Sequence, residues 1–194
     1  MDEIRLRGSD LKLAAVLIGG VAAGIIKLSL MWKQKRVAAA LREIAAREPH
    51  WTEEKLLAVA KTHFLDFQSA WSKQDFSGIE KYIHPSFLVQ WRSHLKEPLS
   101  FGARRSLSSV VFLDSRVVDL RNFKDNQKDG FTVCFDVSAT HHPLGSGNPA
   151  DGNNIDTQEF WSFQWDQDRW KLTRIATPDD WEHFVKAPII DESE

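Results

Sequence analysis

The chain has 194 residues, 42% hydrophobic and 27% charged, a composition that suits one globular domain with an appendage rather than two full domains. Its net charge of -2 hides an asymmetry: residues 1–48 carry nine Lys/Arg against five Asp/Glu, whereas residues 49–194 carry sixteen against twenty-two. The acidic body argues against a nucleic-acid binder, and the basic head points to a membrane surface. The lone Cys134 excludes an internal disulfide framework and a thiolate zinc cluster, and in mid-strand it reads as a small structural residue.

In chain order, residues 1–10 form a tail. The uncharged run 13–26 would make a helix of about 21 Å, short of a hydrocarbon core of about 30 Å. Extended to 11–32 it becomes a transmembrane anchor, with Lys12 and Lys27 reaching toward head groups and Trp32 at the interface. The cluster Lys33, Lys35 and Arg36 that follows does not fit the small-residue end of a cleaved signal peptide. Gly20-x-x-x-Gly24 fits close helix approach and would allow a homo-oligomer through the span. Lys27, Lys33, Lys35, Arg36 and Arg42 outnumber Arg5, Arg7 and Lys12. The positive-inside rule therefore puts the body in the cytoplasm of a bacterial inner-membrane protein, or in the matrix if the membrane is mitochondrial. Residues 33–48 read as a basic juxtamembrane helix, with Lys33, Lys35, Arg36 and Arg42 as the candidate membrane surface.

Thr52 and the glutamates after it open a helix running to about residue 73, striped by Leu56, Leu57, Ala60, Phe64, Phe67 and Trp71. A short helix over 76–83 and a third from Pro85, with Phe87, Leu88, Trp91 and Leu95 on one face, follow. His50, His63, His84 and His94 lack metal-binding spacing and read as solvated. Pro98 and Gly102 mark a loop with the basic pair Arg104 and Arg105.

The remainder reads as antiparallel sheet. Residues 107–123 form a long strand with a bulge near Asp114 and Ser115. Phe131, Val133, Phe135 and Val137 alternate on a second strand; Trp161, Phe163 and Trp165 alternate on a third. A Gly/Asn-rich connection separates those two, with His141 and His142 at its root, on opposite faces. A tight turn over 165–170 leads to the last strand, and Thr177 caps one more helical turn. Residues 186–194 read as an acidic tail, its DESE end at 191–194 expected to be disordered.

Two parts carry a family resemblance: the helix with Phe64 and Trp71 seven apart, and the hairpin in which Glu159, Trp161 and Phe163 meet Trp170 and Leu172. Together they resemble the Tim-forty-four-like (Tim44-like) domain, named for a tether subunit of the mitochondrial inner-membrane translocase, over 49–185 and part of the preceding helix. The resemblance implies an α+β fold related to nuclear transport factor two, with helices on a strongly bent antiparallel sheet around an apolar pocket. Phe64, Phe67, Trp71, Phe87, Trp91, Phe135, Trp161 and Phe163 are the candidate pocket-lining residues. The mitochondrial protein's presequence and chaperone-binding region have no counterpart here, so that role is not carried over.

The expected function is a non-enzymatic, membrane-anchored binding or tethering domain for a protein partner or lipid, without cofactor or metal. The alternative is a cone-fold isomerase, dehydratase or hydrolase acting on a small apolar substrate, with Tyr82, His84, Asp114, Arg116 and Asp136 as the available polar groups.

Overall fold

The computed structural model describes residues 8–96, 105–143 and 152–192, and the side chains of 28–93, 107–142 and 152–192. The first element, α1 (Gly8–Arg47), is one uninterrupted 40-residue helix, so no break separates the expected anchor at 11–32 from the helix at 33–48. The side chains of the apolar run 13–26 lie outside the described residues. Among the described residues no helix is long and apolar enough to cross a membrane.

The second half of α1 belongs to the globular body. Val37, Leu41 and Ile44 recur four and three apart, which puts them on one helical face, and all three are buried in the main core. A 3-10 turn at Pro49–Trp51 reverses the chain into α2 (Glu53–Ser72). Thr52 occupies the N-cap position, but its side chain makes no capping bond; Glu53 and Glu54 complement the helix dipole instead. Helix α3 (Phe76–Glu80) is shorter than the spacing predicts and is capped by Asp75, which accepts from the Gly78 N–H at 2.9 Å. Helix α4 (Pro85–Lys96) begins on its proline.

Strands β1 (Arg105–Asn122), β2 (Gly130–Pro143), β3 (Asn153–Asp166) and β4 (Arg169–Ala176) form an antiparallel meander. A fifth strand, β5 (Ile190–Asp191), adds parallel to Arg121 and Asn122, giving the order β4-β3-β2-β1-β5. The sheet is therefore mixed, not purely antiparallel. Asp191, the first residue of the stretch expected to be disordered, is instead paired together with Ile190, because the Glu192 N–H donates to the Asn122 carbonyl and Arg47 holds Asp191 at 2.6 Å. The bulge expected near Asp114 is present, with further register shifts between Ser108 and Val111 and between Val117 and Asp119. Repeated bulges increase twist, and the sheet curls strongly around the helices.

The register places Phe131 opposite Phe163, Val133 opposite Trp161, and Phe163 opposite Leu172, all on the concave face against α2 and α4. The convex face has its own smaller core: Leu30 of α1, Val118, Cys134, Phe160, Ala176 and Phe184. Phe184 lies on α5 (Trp181–Lys186), which stacks on Phe160 with ring centroids 4.5 Å apart. Thr177 precedes a 3-10 turn but does not cap it with its side chain.

Candidate functional site

Among the described residues, the chain's own rings pack on one another along the concave face of the curled sheet. Phe64 packs against Phe112 (5.4 Å between centroids), Phe135 (5.3 Å) and Trp161 (4.9 Å), and Phe67 packs against Trp91 (5.1 Å) and Trp161 (5.3 Å). Trp71 lies beside Trp91 at 5.6 Å, and Phe87 beside Trp91 at 6.5 Å. All eight residues expected to line a pocket are buried in this cluster, and none lines either of the two cavities described below. Aromatic edges and faces satisfy one another here.

One polar group enters that layer. The Glu159 carboxylate accepts the Trp161 Nε1–H at 2.8 Å, and burial pushes its pKa up. Glu159 has the same side of β3 as Trp161 and Phe163 by period two.

A cavity of about 740 Å³ lies on the other flank, between the first half of α2, the chain after α3 and the β3–β4 hairpin. Ala58, Val59, Trp165 and Trp170 supply its apolar surface; His50, Lys55, His63, Lys81, Tyr82, Asp168 and Arg169 supply the polar one. Trp165 and Trp170 face each other across the hairpin, edge to face at 5.1 Å, and Trp170 is wedged against Trp51 and Phe131. The turn between them is tight, with Gln167 at φ 59°. Tyr82 is held at the cavity because the Leu172 N–H donates to its carbonyl and the His84 N–H donates to the Leu172 carbonyl, both at 2.8 Å. Its hydroxyl donates to Asp66 at 2.7 Å. The His63 ring bridges α2 to β4: Nδ1 is 2.9 Å from the Val59 carbonyl and Nε2 is 3.1 Å from that of Trp170. His63 is thus a half-buried structural histidine, not the solvated one expected, and its ring also packs edge-on to Tyr82 and Phe163.

The cations lie around the cleft on separate elements. Lys55 Nζ donates to the Pro49 carbonyl at 2.8 Å, and Lys81 Nζ lies 4.7 Å from the Tyr82 ring centroid. Arg169 grips Asp168 with bonds of 2.9 and 3.2 Å. Nothing in the sequence signals this constellation; its members span positions 50 to 170 and meet only through the β4 bridge and the hairpin. The sole hint is the pair of tryptophans flanking the turn.

A second cavity, of about 610 Å³, lies on the convex face under α5, beside Asp119, Arg121, Thr132, Ser162 and His183. Next to it, Lys33 is buried: its ammonium donates to the Ala187 carbonyl and faces Asp119. This corrects the reading of Lys33 as membrane surface. It sits four residues before Val37 on the inward face of α1, whereas Lys35, Arg36 and Arg42 are exposed.

Of the polar groups weighed for catalysis, Asp114, Arg116 and Asp136 come together, but away from both cavities. Arg116 joins Asp114 and, at 2.8 Å, Asp136 on the convex face, a cross-strand ladder next to Cys134. His84 pairs with Ser86 at 2.7 Å, and Tyr82 lines the cavity beside the β3–β4 hairpin. His142 Nε2 meets Ser108 Oγ at 2.8 Å; Arg104, Asp151 and the side chains of His94 and Arg105 lie outside the described residues. Among the described residues no group of three or more His, Cys, Asp or Glu is placed to hold a metal ion.

No curated protein matches the chain. Among solved structures, it is similar to the intermembrane space region of the chloroplast protein ARC6, at 14% identity and a TM-score of 0.38, over 62% of this chain and 95% of that one. The family model for the Tim44-like domain matches residues 37–177, from the inward face of α1 through the end of β4. That match covers most of the chain and takes in the packed rings, the aromatic hairpin and the docked half of α1: the chain belongs to the Tim44-like domain family.

Proposed function

We propose that this protein is a membrane-associated, non-enzymatic tether that holds a protein partner or lipid at the membrane surface. The observation that carries the reading is the two-faced α1. Leu28, Met31 and Trp32, three and four residues apart, are 55%, 47% and 62% exposed, while Leu30, Lys33, Val37, Leu41 and Ile44 on the other side are buried in the body. Lys35 Nζ lies 5.5 Å from the Trp32 ring centroid. Exposed apolar residues, an interfacial tryptophan and basic side chains immediately after the apolar run 13–26 are what a bilayer interface selects. The same helix is part of the domain core, so the membrane position of α1 sets the position of the body. On this reading 11–32 is a single span, the body faces the cytoplasm or a mitochondrial matrix, and Gly20 and Gly24 offer a contact for a second copy.

Vesicle flotation tests it. Full-length protein is expected to float with vesicles containing anionic lipid and to stay with them after an alkaline wash. Full-length protein that stays at the bottom of the gradient with every lipid composition overturns the reading. Crosslinked pull-down from the native membrane then identifies the protein partner.

A further inference from the structure

We propose that the cleft between α2 and the β3–β4 hairpin is a binding site for a small planar aromatic carboxylate. Its volume of about 740 Å³ falls within the roughly 300–1,000 Å³ of small-molecule sites. Trp165 and Trp170, at 78° to one another, form two sides of an apolar corner, and Tyr82 stands beside it. Flat aromatic surfaces of this kind accept a ring face-on or edge-on.

Charge decides the sign of the ligand. Lys55, Lys81 and Arg169 surround the cleft against one acid, Asp168, in a body that carries six more acidic than basic residues. Arg169 is already engaged by Asp168, which leaves Lys55 and Lys81 as the principal anion contacts. Neither lysine is paired with a carboxylate: one rests on a backbone carbonyl and the other over the Tyr82 ring. Lys81 feels the Asp75 carboxylate at longer range, whereas the Lys55 ammonium rests on a neutral carbonyl and keeps its charge, and a carboxylate beside an aromatic ring completes both the polar and the apolar contacts. Asp66 accepts the Tyr82 hydroxyl from the α2 side and is not among the residues that line the cleft.

The site is independent of membrane attachment, and its test separates the two. Full-length protein in lipid nanodiscs is dialysed against naphthalene-1-carboxylate and against its neutral isostere naphthalene-1-carboxamide, with empty discs as blank. The carboxylate is expected to bind saturably, one per chain, at least tenfold more tightly than the amide. Replacing both Lys55 and Lys81 by Ala should bring the carboxylate down to the amide's affinity, and Ala58→Trp, which fills the cleft from an exposed position, should remove both. Lys124→Ala, exposed on the β1–β2 connection and outside the cleft, should change neither, and circular dichroism checks that each variant is folded. Equal affinity for the two compounds, an unchanged double lysine variant, or full binding by Ala58→Trp overturns the proposal.

Discussion

The Lys33 ammonium lies 3.7 Å from the Asp119 carboxylate, with the two side chains only 3% and 7% exposed. This ion pair fastens α1 to β1 beneath the C-terminal segment, since Lys33 also reaches the Ala187 carbonyl. Removing either partner of a buried pair strands the other charge, whereas replacing both with packed apolar groups avoids that cost. Asp119→Ala is expected to destabilise by about 3–5 kcal/mol, and Lys33→Met by less because Arg121 at 3.5 Å still faces the Asp119 carboxylate, read from urea midpoints. Burial lowers the Lys33 pKa from its ordinary value of 10.5, against the pull of Asp119 and with a push from Arg36. Between the lowered pKa and 10.5 the unfolded chain binds more protons, so the Lys33 contribution to stability rises with pH there, and Lys33→Met should flatten that rise.

Asp129 gives the opposite profile at acid pH. It is buried, accepts the Phe123 N–H at 2.8 Å, and has its pKa pushed from 3.8 up to about 6, by burial first and then by Glu48 and Asp125 against the Phe123 bond. Between those values the native state holds the proton that the unfolded chain has lost, so stability falls as pH rises from about 4 to about 6, by on the order of 2 kcal/mol. Thermal denaturation across that range should show the slope, and Asp129→Asn should remove most of it.

Cys134 is expected to be chemically silent in the native state. Burial on the convex face pushes its thiol pKa up to about 11, even with Arg116 nearby pulling the other way. At pH 8 iodoacetamide should leave folded protein unmodified and label it stoichiometrically in urea. Labelling of the native protein at the rate of a free thiol would contradict this burial.

Phe64 is the hub of the concave core, ringed by Phe112, Phe135 and Trp161. Phe64→Ala should cost about 3–5 kcal/mol, the usual range for emptying an aromatic site. Leu65→Ala, its exposed neighbour on α2, should fall within about 0.5 kcal/mol. A chemical denaturation pair measures both.

Local rules made much of the fold readable. The stripe from Leu56 to Trp71 announced α2, and the alternation from Phe131 to Val137 and from Trp161 to Trp165 announced β2 and β3, because each pattern depends only on the period of its own element. Thr52 misled as a cap because its side chain makes no bond to the first turn, although the residue occupies the position. The two residues of β5 escaped because pairing so short is decided by what lies alongside: Arg121, Asn122 and the Arg47–Asp191 contact.

The sequence by itself determined the element types, the aromatic core and the family likeness, because these follow from side-chain periodicity and from the order of residues along the chain. The tertiary structure alone decided that Lys33 points into the body, that the eight rings expected around a pocket pack on one another, and that Lys55, Lys81, Trp165 and Trp170 share a cleft. Which face of α1 meets β1, and which loop meets which hairpin, is set by packing between distant segments, and no local period encodes it.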